Sequence, residues 1–276
     1  MKEALFYKKE KNNAVKCLLC PQDCKIAEGK SGFCKVRVNK KGVLYSKTYD
    51  RISSIAMDPI EKKPLSMYKP GSNILSVGTM GCNFKCGFCQ NYQIAHEEPK
   101  LGKMTVEHLL EISDAQTDSI GIAFTYNEPT IWYEYVLETA EKNEKDTVLV
   151  TNGYINMDPL KKLLPYINAM NIDLKSMNPD FYKEVCKGEL ESIKETIKTC
   201  YSKTHIELTF LAIPGRNDSD EEIKEMSEWI SGIDRDIPLH IIPFRPMYKW
   251  TDLPHQTYER IDRLKGIARK ELKYIY

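Results

Sequence analysis

The chain has 276 residues, enough to bury a large core, and its 40 Lys and Arg residues balance 39 Asp and Glu residues, so no global field favours nucleic acid or a membrane surface. No apolar run approaches the roughly 20 residues of a membrane span, and residues 1–13 lack the apolar core of a signal peptide. We therefore expect a cytoplasmic protein whose nine cysteines stay reduced and bind metal rather than form disulfides.

Four of the cysteines fall in one N-terminal stretch, "CLLCPQDCKIAEGKSGFC", at Cys17, Cys20, Cys24 and Cys34. Zinc is a common metal at four thiolates in a reducing compartment, and it would stabilise a module too small to have its own core. The Cys-Pro pair at Cys20 instead resembles ferredoxin ligation, which favours an iron–sulfur cluster. The spacing does not choose between the two, so the sequence predicts a metal site that holds either zinc or an auxiliary iron–sulfur cluster.

A β-hairpin and an irregular connection are predicted next. The stretch "KVRVNKKGVLYSKTY" contains two alternating runs around residues 39–42, and Gly42 supplies the positive φ that a tight turn needs. The stretch "DPIEKKPLSMYKPG" is rich in proline and charge and ends at Pro70-Gly71. We therefore assign residues 1–70 to a cysteine-rich metal-binding module and residues 71–276 to a larger α/β domain.

The larger domain alternates short apolar runs with amphipathic stretches of helical period. Strands are predicted at residues 73–79, 119–125, 147–153, 169–175, 205–215 and 238–244, and helices at residues 106–116, 130–143, 158–167, 220–233 and about 255–272, with a helical region broken near Gly188. Continuous apolar strands are typical of a parallel sheet covered by helices. Six units are two short of the full eight-stranded barrel, so we expect a partial (β/α)6 TIM-like barrel with its chemistry in the loops after the strands.

Three further cysteines, Cys82, Cys86 and Cys89, follow the first of these strands in "GCNFKCGFCQNYQIA". A [4Fe–4S] cluster has four corner irons, so three thiolates leave one iron with an open and reactive coordination site. The alternative is a structural metal site completed by a distant ligand, but this spacing at a strand end favours the reactive cluster. Cys186 and Cys200 stand alone, and we interpret them as small buried hydrophobic residues.

The pattern C-x3-C-x-aromatic-C, formed by Cys82, Cys86, Phe88 and Cys89, resembles the signature of the radical SAM superfamily. The resemblance implies an open iron that binds S-adenosylmethionine (SAM), and one-electron cleavage of SAM to a 5′-deoxyadenosyl radical. That radical would take hydrogen from a protein or small-molecule substrate. It also implies a flavodoxin or ferredoxin-type electron donor. A non-catalytic iron–sulfur electron carrier or redox scaffold on the same fold is the alternative.

The resemblance gives cofactor-binding roles to residues at the next strand ends. In "TYNEP", Asn127 and Glu128 stand where the family receives the methionine ammonium, and Glu128 offers the carboxylate that a buried ammonium needs. Tyr126 and Asn127 replace two glycines of the family motif there. The alternative role for Glu128 is to cap the next helix. In "TNG", Asn152 is expected to reach the ribose hydroxyls.

The fourth and sixth strands end in further polar residues. In "NIDLKSM", Asp173 and Lys175 resemble the glycyl-radical activating enzymes, and Lys175 is expected to contact the SAM carboxylate, with a surface ion pair as the alternative. Either His240 or Arg245, in "PLHIIPFRP", is expected to approach the cofactor. The set of carboxylates and amides at the strand ends favours an enzyme, because an electron carrier has no use for a SAM pocket.

Longer motifs are similar to a narrower group, the AmmeMemoRadiSam radical SAM family. They are "CLLCPQDC", "DPIEKKPL" and "PGSNILSVGTMGCNFKCGFCQN", and the resemblance covers nearly the whole chain. Its members resemble pyruvate formate-lyase activating enzymes but carry the additional N-terminal cysteine module. They commonly run further and contain more cysteines, so we expect a short or shortened member. No residue of the sequence identifies the substrate.

Overall fold

The computed structural model describes residues 1–276. Short strands build the N-terminal region: β1 (Lys2–Glu3), β2 (Tyr7–Lys9), β3 (Val15–Cys17), β4 (Lys25–Ile26), β5 (Arg37–Lys40), β6 (Val43–Ser46) and β7 (Arg51–Ile52). The first six form two three-stranded antiparallel sheets, β2-β3-β4 and β1-β6-β5, and β7 lies in neither. The predicted hairpin is confirmed as β5 and β6, because Lys41 and Gly42 between them have φ values of 53° and 77°, as a two-residue turn requires.

The rest of the chain is built around a curled sheet in the form of a half-barrel. Its strands and one short extra strand are β8 (Ser54–Pro59), β9 (Asn73–Gly78), β10 (Gly102–Lys103), β11 (Ser119–Phe124), β12 (Asp146–Thr151), β13 (Ala169–Asp173), β14 (His205–Ala212) and β15 (Leu239–Pro243). All but β10 form one seven-stranded sheet in the order β15-β14-β13-β12-β11-β9-β8. The strands from β9 to β15 in this sheet are parallel, so the predicted partial barrel is confirmed.

Helices follow the parallel strands and bury their apolar faces in the core that they share with the sheet. They are α1 (Tyr92–Ala95), α2 (Val106–Ala115), α3 (Tyr133–Lys142), α4 (Met157–Leu163), α5 (Pro179–Phe181), α6 (Leu190–Tyr201), α7 (Asp220–Ser231) and α8 (Tyr258–Ala268), with a π-helical segment at Tyr182–Cys186. Capping residues fix where several of the helices begin. The Ser219 side chain, for example, accepts a hydrogen bond from the N–H of Glu222 at the start of α7. No helix has the length and apolar character to cross a bilayer.

Strand β8 is the main difference from the sequence prediction. Residues 54–59 lie inside the segment that was assigned to the N-terminal module, yet they pair antiparallel with β9 from Ser54 opposite Gly78 to Pro59 opposite Asn73. Most residues of this edge strand are partly or fully exposed, so the sequence lacks the apolar alternation that would reveal it. The sheet of the larger domain therefore begins before the predicted boundary at residue 71.

A buried ion pair joins the N-terminal region to the half-barrel. Arg37 in β5 and Glu134 in α3 are 1% and 3% exposed, and Nη2 of Arg37 lies 2.5 Å from Oε1 of Glu134. Nη1 of Arg37 donates to both carboxylate oxygens at 3.1 and 3.2 Å. Because neither charge reaches water, each depends on the other for its stability.

Replacing Glu134 with glutamine should leave the Arg37 guanidinium buried without a counter-charge. We expect Glu134→Gln to lower the free energy of unfolding by about 3–5 kcal/mol, measured by chemical denaturation. The control is Glu107→Gln, which removes an exposed partner of Lys142 and should leave the denaturation midpoint unchanged. If the two variants unfold at the same denaturant concentration, the pair does not hold the module to the barrel.

Candidate functional site

A cavity of about 510 Å³ lies inside the half-barrel, where the loops after the parallel strands meet. Its volume is in the range of cofactor and small-molecule sites. Most of the residues that were predicted to act in a site line it: Cys82, Cys86, Phe88, Cys89, Asn127, Glu128, Asn152, Asp173 and Lys175. They converge because β9, β11, β12 and β13 are parallel and therefore end at the same edge of the sheet.

The three cysteines of the loop after β9 are buried or half-buried and face hydrogen-bond donors. The N–H of Phe84 donates to Sγ of Cys82 at 3.3 Å. A hydrogen bond with Cys186, together with burial, raises the pKa of Cys86, and burial raises the pKa of Cys82 and brings that of Cys89 to about 11. The thiolate forms therefore need a cation beside them at neutral pH, as a metal centre would provide.

No group of three or more His, Cys, Asp or Glu side chains is arranged to hold a single metal ion. This arrangement does not conflict with a polynuclear cluster, because each cysteine of a [4Fe–4S] site binds a different iron. The soft thiolate donors, the surrounding N–H groups and the adjoining cavity fit a cluster of that kind.

Glu128 connects the ends of two strands beside the cysteines. Its carboxylate is almost completely buried and accepts hydrogen bonds from the N–H of Thr130, the hydroxyl of Thr151 and the N–H of Asn152. It thus caps the 3-10 helix Pro129–Trp132, as the alternative interpretation held, while it also lines the cavity. Burial raises the pKa of Glu128 even though three donors oppose that effect.

Two asparagines position the loop that carries the cysteines. Nδ2 of Asn127 donates to the carbonyl oxygen of Gly81 and its Oδ1 accepts the N–H of Thr79, both at 2.9 Å. Nδ2 of Asn152 donates to Oδ1 of Asn83 at 2.9 Å. These bonds hold the loop on both sides of Cys82. The contact of Asn152 with a ribose stays a prediction.

Asp173 and Lys175 form an ion pair in the wall of the cavity. Nζ of Lys175 lies 2.7 Å from Oδ2 of Asp173, and the side chains of the two residues are 15% and 32% exposed. The ammonium also lies 5.9 Å from the centre of the Phe88 ring. Burial acts against the charged ammonium, but Asp173 together with Cys86 and Cys186 outweighs it, and the pKa of Lys175 is raised. The pair is therefore more enclosed than the surface pair that was the alternative.

His240 and Arg245 lie outside the cavity, which corrects the expectation that one of them approaches the cofactor. His240 is the second residue of β15, and its Nε2 lies 2.6 Å from Oε2 of Glu207. Its ring stacks on Tyr276. Arg245 follows the end of β15 but is exposed. A motif at the end of a strand does not reveal which of its side chains turns inward.

Sequence reasoning missed one contact behind the wall of this cavity and one part of its lining. Cys186 lies against Cys86, which could not be inferred because the two are far apart in the chain. Asp58, Lys62 and Lys63 line another part of the cavity, and they belong to the segment that was interpreted as an irregular connection. The motif "DPIEKKPL" marked this segment, but its role depends on strand β8, which the sequence did not show.

The four N-terminal cysteines surround a second, small cavity together with Arg37. The N–H of Phe33 donates to Sγ of Cys24 at 3.4 Å. Nε of Arg37 is buried and has no hydrogen-bond partner. Nearby, the Gln22 side chain donates to the carbonyl oxygen of Asn83 at 3.0 Å, which ties this region to the loop of the other cysteines. The predicted ligands therefore line one cavity, although no three of them are arranged here to hold a single metal ion, and the metal stays a prediction.

Residues 76–230 match the model of the radical SAM superfamily. An uncharacterised protein of Methanocaldococcus jannaschii is 41% identical over 100% of this chain and 84% of its own length. The pyruvate formate-lyase-activating enzyme of Streptococcus mutans is 22% identical over 63% of this chain and 72% of its own length.

Solved structures of low sequence identity share the fold. A radical SAM methyltransferase from Sphaerobacter thermophilus has a TM-score of 0.59 and 17% identity, and the match covers 76% of this chain and 67% of that one. SuiB of Streptococcus suis bound to S-adenosylmethionine has a TM-score of 0.56 and 16% identity over 74% of this chain and 51% of that one.

Proposed function

The chain belongs to the radical SAM superfamily, and we propose that it cleaves SAM reductively to a 5′-deoxyadenosyl radical that abstracts hydrogen from a protein or small-molecule substrate. The family implies a [4Fe–4S] cluster and SAM as cofactors. The observation that carries the proposal is the convergence of Cys82, Cys86 and Cys89 with Glu128 and Asp173 on one cavity. A non-catalytic electron carrier would leave this cavity and its polar wall without a purpose.

Each part of the wall has a role toward these cofactors. The three cysteines would hold three irons, and Phe84 N–H would stabilise the sulfur of Cys82. When bound, the cluster would supply the electron for reductive cleavage of SAM. Phe88 is buried beside the cysteines and against Trp250, where it helps to exclude water.

Glu128 is proposed to receive the methionine ammonium. A carboxylate has about four positions at which it accepts hydrogen bonds, and three donors within the protein already occupy Glu128. One position is therefore left for a ligand on the side of the cavity. An ammonium there would offset the negative charge, which is otherwise buried without a cationic partner.

Lys175 is proposed to contact the SAM carboxylate. An ammonium has three donors, and Nζ of Lys175 uses one of them for Asp173. The remaining donors border the cavity near Phe88. Asp173 keeps the lysine charged and in place, so it acts as a positioning residue.

We further propose an activating-enzyme-like role within the AmmeMemoRadiSam group, in the reducing cytoplasm. The relatives of this chain include activating enzymes for pyruvate formate-lyase and 4-hydroxyphenylacetate decarboxylase, at 22% and 26% identity. Radical SAM enzymes generally use a reductant such as flavodoxin or ferredoxin, and we propose a donor of this class here. The N-terminal cysteine region supports the assignment to the narrower group.

The N-terminal cysteines are proposed to hold a second metal, either an auxiliary iron–sulfur cluster or zinc. Each iron of a cluster needs only one of the cysteines, whereas zinc would require the four side chains to converge more closely than they do here. Four thiolates around a metal carry excess negative charge, and the buried guanidinium of Arg37 lies at the same cavity. Its Nε–H, which has no partner, would donate to a metal-bound sulfur. This centre lies outside the loops that follow the parallel strands, so we assign it a structural role rather than SAM cleavage.

Changing Cys82, Cys86 or Cys89 to alanine should abolish the SAM-responsive EPR signal of the reduced, reconstituted protein, because each thiolate holds one iron. Cys200→Ala is the matched control, since Cys200 is fully buried but does not line the cavity. Its signal should match that of the wild type. Survival of the signal when all three loop cysteines are alanine would refute the radical SAM mechanism.

Glu128→Gln should weaken SAM binding by about a hundredfold, because the ligand ammonium would lose its buried counter-charge. SAM affinity is read from the EPR change during titration, and stability from a thermal melt. The control is Thr151→Val, which removes one hydrogen bond to Glu128 but keeps the carboxylate. It should lower the melting temperature and leave SAM affinity close to the wild-type value. Equal affinity in Glu128→Gln would show that this carboxylate only caps the helix.

Cys17→Ala and Cys34→Ala should each lose one metal centre while the cluster at the other cysteines persists. Metal analysis of the wild type should find either about one zinc with about four irons, or about eight irons without zinc. Uncoupled SAM cleavage should continue in both variants, because the cleaving residues all lie at the strand ends. If the SAM-responsive cluster disappears from Cys34→Ala, the two centres are not independent.

A further inference from the structure

Three charged residues from the segment after β8 line the cavity at a distance from the cysteines: Asp58, Lys62 and Lys63. Asp58 pairs with Ile74 near the start of β9, whereas the cysteine loop follows the end of that strand. The two groups therefore lie toward opposite ends of one cavity. The roles proposed for SAM and its cluster leave this charged end unused.

Asp58 is the centre of the group. Its Oδ2 accepts hydrogen bonds from Nζ of Lys63 at 2.7 Å and from the Tyr126 hydroxyl at 2.9 Å, and its Oδ1 accepts one from Nζ of Lys62 at 3.1 Å. Lys63 is 2% exposed, and its ammonium lies 5.0 Å from the centre of the Tyr126 ring. Asp58 and Lys63 form the buried pair, whereas the side chain of Lys62 is 66% exposed and its charge is largely solvated.

The buried ammonium of Lys63 keeps hydrogen-bond donors that no group of the protein accepts. Nζ of Lys63 donates one hydrogen bond, to Asp58, although an ammonium can donate three. The neighbouring polar side chain of Asn171 is already engaged, since it donates to the carbonyl oxygen of Pro64 and accepts from the Thr209 hydroxyl. Because these unused donors belong to a positively charged group that lines the cavity, this end of the cavity is suited to an anionic acceptor.

The group is also held rigidly, as a binding site requires. The backbone N–H groups of Ser66 and Met67 donate to the carboxylate of Glu207 in β14, which fixes the segment that carries the lysines. Tyr126 has a left-handed φ of 70°, which is strained for a residue with a side chain. A side chain on Gly78 would lie 3.1 Å from its ring, so the glycine allows Tyr126 to pack there.

We propose that Lys63, with Lys62, binds an anionic group of a small-molecule substrate, either a carboxylate or a phosphate. This inference rests on the proposed function, because the substrate would then lie between the lysines and the cofactor at the cysteines. The anion anchors one end of the substrate and leaves the carbon that loses hydrogen toward the cysteines. A lysine binds either anion as a point charge, so both belong to the same chemistry.

Inorganic phosphate and acetate serve as probes of the two anion types. Each is titrated by NMR into the anaerobically reconstituted protein at low ionic strength, where screening is weak. We expect the wild type to bind at least one probe. Lys63→Met should bind that probe at least about tenfold more weakly than the wild type, because a charge-assisted hydrogen bond is lost. The control is Lys145→Met, a part-buried lysine outside the cavity, which should bind as the wild type does. The probe that binds more tightly identifies the anion type.

Asp58→Asn separates a binding role from a structural one, because it removes the competing carboxylate and keeps both lysines. We expect it to bind the probes more tightly than the wild type, opposite to Lys63→Met. If neither probe binds the wild type, or if both variants lose affinity in step with their melting temperatures, the lysines are structural and the proposal is wrong. Failure of the wild type to form 5′-deoxyadenosine from SAM would instead contradict the proposed function. The probe titration measures anion binding without SAM cleavage, so the two failures can be told apart.

Discussion

The hydrogen bonds that join the ends of β9, β11 and β12 are the constraint on which the site depends. A parallel sheet brings these strand ends to one edge, but it does not by itself fix the loops between them. Here Asn127 ties the β11 end to the loop after β9, and Glu128 ties it to the β12 end. Asn152 completes the connection by donating to Asn83, next to the first cysteine of the loop. The cysteines are thus positioned by polar side chains rather than by the loop sequence alone.

Sequence patterns predicted the parts of this protein that depend on local or repetitive signals. The parallel strands are apolar because helices and the barrel interior cover both faces, and the cysteine spacing is itself the ligand pattern. The sequence did not reveal the features that depend on long-range contacts or on an exposed edge strand. Strand β8 lacks alternation because it is mostly exposed, so the position of Asp58 and Lys63 could not be inferred. His240 matched a strand motif, but its imidazole is bonded to Glu207 and does not line the cavity.

Three buried or partly buried cations of this chain lie beside the places where a ligand or metal would lie. The guanidinium of Arg37 reaches Glu134 on one side and the N-terminal cysteines on the other. Lys175 and Lys63 each pair with one carboxylate and keep further donors at the cavity. Each pair therefore stabilises the folded chain without exhausting the hydrogen-bonding capacity of the cation, which is how one group can serve both packing and binding.

Three consecutive residues connect the two ends of the cavity. The Tyr126 hydroxyl binds Asp58, the Asn127 amide holds the cysteine loop, and Glu128 faces the expected position of the SAM ammonium. The left-handed backbone at Tyr126 turns its ring toward Lys63 while the next two side chains point to the strand ends. A glycine at this position would allow the same backbone without strain but would leave the lysine uncovered. The tyrosine therefore fits a site in which cofactor and substrate must be aligned through one short segment.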